Sequence, residues 1–218
     1  MNDMIHNVKS PLFDGIQPSE LKAMLQCIGY RIRSFSKGEI IAFEGENLKH
    51  IGIVLSGSVD MVKEDLWGNK TMLVRMRQDE LFGETFACGE DSLSVVTFMV
   101  SEDAKILFMP FVRVMHSCTM ACEFHHRLIE NMVRVIANKN RDLMRKVEVV
   151  SKRTIREKLL AYLSIQSQLQ ESRYFEIPFG RVELAEYLCV DRSAMTRELV
   201  KMKDDGLIDY DKNCFRIL

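Results

Sequence analysis

The chain has 218 residues, 47% hydrophobic and 28% charged, the composition of an ordinary soluble protein with enough material for two modest cores. No apolar run approaches the roughly 18–20 residues that a membrane-spanning helix needs, which excludes an integral membrane protein of the helical kind. The formal net charge of −1 conceals an uneven distribution: residues 1–120 hold 12 basic and 16 acidic side chains, residues 121–218 hold 18 and 15. A mildly basic C-terminal part suits phosphate neutralisation.

The opening Met-Asn-Asp-Met-Ile-His-Asn-Val-Lys lacks the charged-then-apolar pattern of a secretory signal. Six cysteines (27, 88, 118, 122, 189 and 214) are scattered without a Cys-x-x-Cys pair. Together these features predict a cytoplasmic protein with reduced thiols and no disulfide framework. No internal repeat or low-complexity segment interrupts the chain.

Taken in order, residues 10–28 read as a short helical lead-in. Gln17-Pro18-Ser19-Glu20 is a helix start, and Leu21, Met24, Leu25 and Ile28 form its apolar stripe. From about 30 to 112 the texture changes to short alternating segments between glycines 38, 45, 52, 57, 68 and 83. The runs His50–Leu55 and Ser58–Val62 are two such segments. Trp67-Gly68-Asn69-Lys70 is a hairpin turn leading to a strand over Thr71–Met76. This spacing predicts an antiparallel barrel or sandwich.

From about 111 to 149 the period becomes helical. Phe124, Leu128, Met132, Val135, Ile136, Leu143 and Val147 recur at three- and four-residue intervals. So long an apolar seam needs a partner: either the protein's own barrel or a parallel second copy, which is the reading preferred here. A charged replacement at Met132 or Ile136 is expected to weaken that dimer. Residues 134–158 carry nine basic and three acidic side chains, suited to an approach to DNA or to solvated surface. Val149-Val150-Ser151 is the expected hinge, Ile155, Leu159, Leu160 and Leu163 start the next helix, and Phe175–Pro178 is a short strand.

Residues 180–208 read as two short helices around a tight turn. Leu184, Ala185 and Leu188 supply one apolar face, and Met195, Leu199 and Met202 supply the second. Small Ala185 lets the helices cross closely, and Asp191 is suited to cap the second one. Arg192, Ser193, Thr196 and Arg197 then project away from the core. In a helix-turn-helix these residues enter the DNA major groove, where arginine pairs with guanine. Gly206 ends the helix, Leu207–Tyr210 and Cys214–Leu218 form a hairpin, and the whole is a winged helix-turn-helix.

With these parts in this order, nearly the whole chain resembles the transcription regulators named after the cyclic-AMP receptor protein and the oxygen sensor FNR, the CRP/FNR family. Gly45-Glu46, Ile53 to Val59, Gly68 and Leu81-Phe82-Gly83-Glu84 resemble its cyclic-nucleotide-binding β-roll. Arg181, Leu184-Ala185, Arg192-Ser193, Thr196-Arg197 and Gly206-Leu207-Ile208 resemble its recognition module. The resemblance implies an α+β protein: an N-terminal antiparallel β-roll of jelly-roll type over 1–118, a dimerisation helix over 119–149 and a winged helix-turn-helix over 150–218. It further implies a homodimer that binds palindromic promoter DNA, responds to a small-molecule effector in the roll and works with RNA polymerase. Arg197 is the implied guanine reader, Arg192, Ser193 and Thr196 lie beside it, and Arg181 contacts phosphate. Ser193 stands where both founding members have glutamate, so the resemblance does not carry their half-site over to this chain.

The sensor departs further from the family. The resemblance places an effector against Gly83 and Glu84 and against the helix positions Lys139 and Asn140. Cyclic-AMP binders follow the Gly-Glu with Arg-Ser or Arg-Thr about ten residues on. Here Ser94-Val95 stand there, and no arginine lies between Arg77 and Arg113. A buried phosphate without that charge-assisted contact loses about 1.5–3 kcal/mol or more, which argues against cyclic AMP. Glu84 has an alternative role as a structural residue closing a turn. An iron–sulfur cluster is disfavoured because only Cys27 precedes residue 88.

One further constellation is His116-x-Cys118-x-x-x-Cys122-x-x-His125-His126, spaced by helical turns. It could ligate metal or haem or respond to oxidants, or its cysteines could simply be buried apolar residues. The sequence assigns no cofactor and no metal set. No Ser/His/Asp, paired-carboxylate, phosphate-loop or His-Glu-x-x-His pattern supports an enzyme. A winged-helix interaction module without DNA binding is the remaining alternative, and retention of both Arg192 and Arg197 argues against it.

Overall fold

The computed structural model describes residues 8–89, 91–116 and 123–218. The chain forms two compact units, Met1–Ala137 and Asn138–Leu218. The division falls inside one long helix, and the fold is the α+β arrangement expected from the sequence.

In the first unit a 3-10 turn (Pro11–Phe13) precedes α1 (Pro18–Ile28), whose first turn is closed by Gln17 N donating to Glu20 Oε2 at 2.9 Å. The roll consists of β1 (Arg31–Phe35), β2 (Ile40–Ala42), β3 (His50–Glu64), β4 (Lys70–Met76), β5 (Leu81–Phe82) and β6 (Thr97–Pro110). All pairings are antiparallel, in the order β1-β6-β3-β4, with β2 on β6 and β5 on β3. The sequence suggested two separate runs at 50–55 and 58–62. They are instead one fifteen-residue strand, bent by register shifts between Val54 and Val59. Gly57 sits in that bend at φ +78°, and a Cβ there would lie 2.2 Å from the Asp103 carbonyl oxygen. A glycine read as punctuation therefore serves as a bulge within a continuous strand.

Two short helices, α2 (Glu84–Ala87) and α3 (Phe111–Met115), flank β6. The 28-residue α4 (Glu123–Val150) is about 42 Å long. Its first turns belong to the first unit: Leu128 and Met132 are buried among Leu25, Ile51, Ile53, Leu107 and Met109. Asn131 Nδ2 donates to the carbonyls of Leu12 (3.1 Å) and Asp14 (2.8 Å), and Arg127 Nη1 donates to that of Gly15 (2.8 Å). The seam read from the sequence is thus two faces. Leu128 and Met132 complete the core of the first unit, whereas Val133, Ile136, Leu143 and Val147 lie exposed. The expectation that a charge at Met132 would act on a dimer is corrected accordingly.

The second unit comprises the end of α4, α5 (Ile155–Leu169), β7 (Tyr174–Glu176), α6 (Arg181–Leu188), α7 (Arg192–Asp204), β8 (Ile208–Asp211) and β9 (Cys214–Ile217). Helix α4 runs to Val150, so the expected hinge at 149–151 is the helix end. Thr154 starts α5 by accepting from Glu157 N while Thr154 N donates to Glu157 Oε2. The strands form a sheet in the order β7-β9-β8. Leu159, Leu163, Phe175, Leu184, Leu188, Met195, Leu199 and Phe215 fill the core beneath it. Among the described residues, no helix is long and apolar enough to cross a membrane.

Candidate DNA interface and effector site

Asp191 caps α7, its Oδ1 accepting from Ala194 N at 2.8 Å. Met195, Leu199 and Met202 are fully buried, and this fixes the rotation of the helix. Arg192, Ser193, Thr196 and Arg197 are consequently exposed together. The turn before α7 is tight: Cys189 adopts a left-handed conformation at φ +53°, and Val190 N donates to Ala185 O at 3.0 Å. At the other end Gly206 (φ +70°) and Leu207 close α7, with Leu207 N donating to Met202 O at 3.0 Å.

Helix α5 holds this module through cations that the sequence suggested might approach DNA. Arg156 donates to Glu198 and, at 2.7 Å, to Asp205 Oδ2, both at the α7 side. Lys158 Nζ donates to Leu188 O at 3.0 Å, satisfying the C-terminal end of α6. Arg156 thus braces α7 and Lys158 the end of α6. That role was invisible in a count of basic residues.

Arg181 lies at the first turn of α6, and its guanidinium sits over the rings of Tyr210 (5.1 Å) and Phe215 (5.3 Å). Its Nη2 donates to Lys212 O at 2.8 Å, while Nη1 is buried without a hydrogen-bond partner among the described residues. Burial lowers its pKa from the usual arginine value. The structure therefore places Arg181 on the wing hairpin, stacked and partly desolvated.

In the roll, Gly83 adopts φ +82° immediately before α2, and the Glu84 side chain is buried. Ser94, at the position of the family's arginine, is buried and turned on its own chain, Oγ donating to Val96 O at 2.6 Å. Backbone bonds from Gly45 N to Ser94 O (2.7 Å) and Ser94 N to Glu46 O (2.9 Å) pin this segment. One cation that the sequence reading missed does reach it. Lys63 on β3 donates to Val95 O at 2.9 Å and pairs with Glu44. Behind the loop the roll interior is aromatic, Phe98 lying 5.2 Å from Phe82 and 6.1 Å from Phe86, ring centre to ring centre.

Lys139 and Asn140 are exposed residues of α4 and belong to the second unit, whereas Gly83 and Glu84 belong to the first. Cys118 and Cys122 lie outside the described residues. The histidines of that constellation each have a local contact: His116 Nδ1 with Val112 O (2.7 Å), His125 Nε2 with Arg113 O (3.2 Å) and His126 Nε2 with Glu130 Oε1 (3.3 Å).

Comparison with known proteins matches both units. The cyclic nucleotide-binding domain matches residues 32–117, and the Crp-like helix-turn-helix domain matches residues 157–218. The cyclic AMP receptor protein of Thermus thermophilus is 31% identical over 98 residues, 45% of this chain and 44% of that protein, so the match spans less than half of that receptor's length. The transcriptional activator protein FnrA of Stutzerimonas stutzeri is 24% identical over 194 residues, 86% of this chain and 77% of that one. Among solved structures, the OCPA complex of CprK superimposes with a TM-score of 0.68 at 15% identity, covering 90% of each chain, a likeness of fold.

Proposed function

We propose that this chain, which belongs to the CRP/FNR family of transcription regulators, binds palindromic promoter DNA as a homodimer through α6 and α7 and is switched by an effector in the β-roll. The observation that carries the DNA reading is the rotation of α7. Three buried residues on one side turn Arg192, Ser193, Thr196 and Arg197 together to solvent on the other, on a helix braced by Arg156. Arg197 pairs with a guanine edge, and Ser193 and Arg192 read beside it. Arg181 acts through the wing, whose Lys212 carbonyl it holds.

Dimerisation is supported by the exposed face of α4. Ile129, Val133, Ile136, Asn140, Leu143, Val147 and Val150 alternate at spacings of four and three residues, the seam of a parallel coiled coil. Asn140 is its single polar member, the kind of residue that fixes register at some expense of stability. Two paired subunits then present two recognition helices to two half-sites. RNA polymerase is the expected partner on the promoter and the cytoplasm the expected location.

The effector is not cyclic AMP on this reading. Ser94 supplies no charge where an arginine would meet the cyclic phosphate, and Lys63 is already paired with Glu44. Effector contacts within the roll fall to Gly83 and Glu84. Nothing in the described part of the Cys/His constellation favours a metal or redox reading over this one.

Selection of binding sites from random double-stranded DNA tests the reading. A palindromic site should emerge, bound with an affinity that falls steeply as salt rises. Failure to enrich any site, or binding indifferent to salt, would overturn it. A calorimetric titration with cyclic AMP that showed binding in the micromolar range would overturn the effector assignment alone.

A further inference from the structure

The outward face of α7 contains a residue that a reading based on charge passes over. Ser193, Thr196, Arg197 and Val200 fall at i, i+3, i+4 and i+7, within about 100° of helix circumference and opposite the stripe of Met195, Leu199 and Met202. Val200 is 47% exposed at the middle of that face. Isolated surface valines are common, but this one occupies a helix position where it is intrinsically unfavourable. Its branched side chain is a poorer helix former than alanine or lysine, and at this exposure burial offsets that only in part.

Thr196, one turn earlier, gives a second and independent observation. Its Oγ1 donates to Arg192 O at 2.9 Å. The hydroxyl proton is therefore committed to the helix backbone, and what Thr196 has left to offer at this face is its methyl and an oxygen that can only accept. A methyl and an isopropyl group four residues apart on a helix are neighbours. Beside the Arg197 guanidinium they make a small apolar patch within a polar reading face. In the major groove only one base edge is matched by apolar contact, the C5-methyl of thymine.

We infer that Thr196 and Val200 together read a thymine methyl, adjacent to the guanine read by Arg197. Each half-site then carries a specificity-determining A·T pair recognised without a hydrogen bond. The inference rests on the DNA-binding reading above and goes beyond it in naming the base and the group recognised.

The test uses the full-length protein and the site enriched by selection from random DNA. Each thymine is replaced in turn by uracil, which keeps every hydrogen-bonding group and lacks only the methyl. For the unaltered protein, one thymine per half-site should become sensitive, with Kd rising about fourfold per methyl lost. In Val200→Ala the same uracil scan should lose most of its sensitivity at that thymine, while the dependence on the Arg197 guanine persists. Thr196→Ser, which keeps the hydroxyl and removes the methyl, should lower the sensitivity in part. A uracil scan flat for the unaltered protein overturns the inference, as does a sensitivity that Val200→Ala leaves undiminished. Either result with a guanine-dependent site intact leaves the DNA-binding reading standing. A selection that enriches no site overturns both.

Discussion

Met132 and Val133 are adjacent on α4 and face opposite environments, the first with 0% of its surface accessible and the second with 59%. Met132 is part of the core that α4 shares with α1 and the roll, and Val133 begins the exposed stripe continued by Ile136, Leu143 and Val147. This adjacency separates folding from assembly. Met132→Asp should unfold the first unit, because an unpaired buried charge costs several kcal/mol. Val133→Asp, or Leu143→Asp, should leave the thermal transition of the monomer nearly unchanged and weaken the dimer at least tenfold. Sedimentation of the two folded variants decides it, and a Leu143→Asp protein still dimeric at micromolar concentration would refute the seam.

The same helix shows what the sequence made legible and what it did not. Its existence follows from apolar spacing over more than twenty residues; its start does not, since the helical period reads from about 111 and Phe111–Met115 forms a separate helix. Its phase did not, because apolar side chains recur on both an inward and an outward face and spacing alone does not say which neighbours are covered. The recognition module was clear because the periodic pattern, the Asp191 cap and the closing glycine agree about one local structure. Arg181, by contrast, read as a phosphate contact by its place in the motif. That its ring partners Tyr210 and Phe215 lie some thirty residues onward is a tertiary fact. Lys63 was missed likewise, since its partners Glu44 and Val95 come from other segments.

Arg197 is exposed, lies on the polar face of α7 and is not needed for the core. Arg197→Ala should therefore leave the fold intact and relax the requirement for one G·C pair in each half-site, at about 1–3 kcal/mol per contact. Affinities measured on the selected site and on its G-substituted versions check this. If both proteins discriminate equally, another residue reads the guanine.

Arg181→Ala should act through the wing. Without the stacked guanidinium and its bond to Lys212 O, the hairpin between β8 and β9 loosens, and trypsin should cut after Lys212 several-fold faster than in the unaltered protein. DNA affinity falls in parallel. A fall in affinity with the tryptic rate unchanged would show that Arg181 acts on phosphate directly.

Tyr162 presents the opposite kind of opportunity. It is almost wholly buried against Phe179 and Tyr187, its hydroxyl has no hydrogen-bond partner among the described residues, and burial raises its pKa well above the usual phenol value. A buried hydroxyl without a partner is a net cost, so Tyr162→Phe should hold or raise stability, by up to about 1–2 kcal/mol. Denaturant unfolding of the two proteins compares them. A loss of more than about 1 kcal/mol would mean that the hydroxyl has a partner in solution.

Cys189 stands at the turn between α6 and α7 in a left-handed conformation (φ +53°, ψ 55°) that costs a residue with a Cβ about 1 kcal/mol or more. Its own N–H donates to Glu186 O at 3.1 Å, the following Val190 N donates to Ala185 O, and its side chain is exposed. Cys189→Gly should therefore raise the stability of the second unit by about 0.5–1 kcal/mol, the relief of strain exceeding the entropy that glycine adds to the unfolded chain. Cys189→Ala, which keeps the Cβ, should gain nothing. The pair of variants separates backbone strain from loss of the thiol. A glycine protein that melts with the alanine protein at the temperature of the unaltered one would show that the turn is not strained. Equal gains in both would instead make the thiol itself the destabilising group.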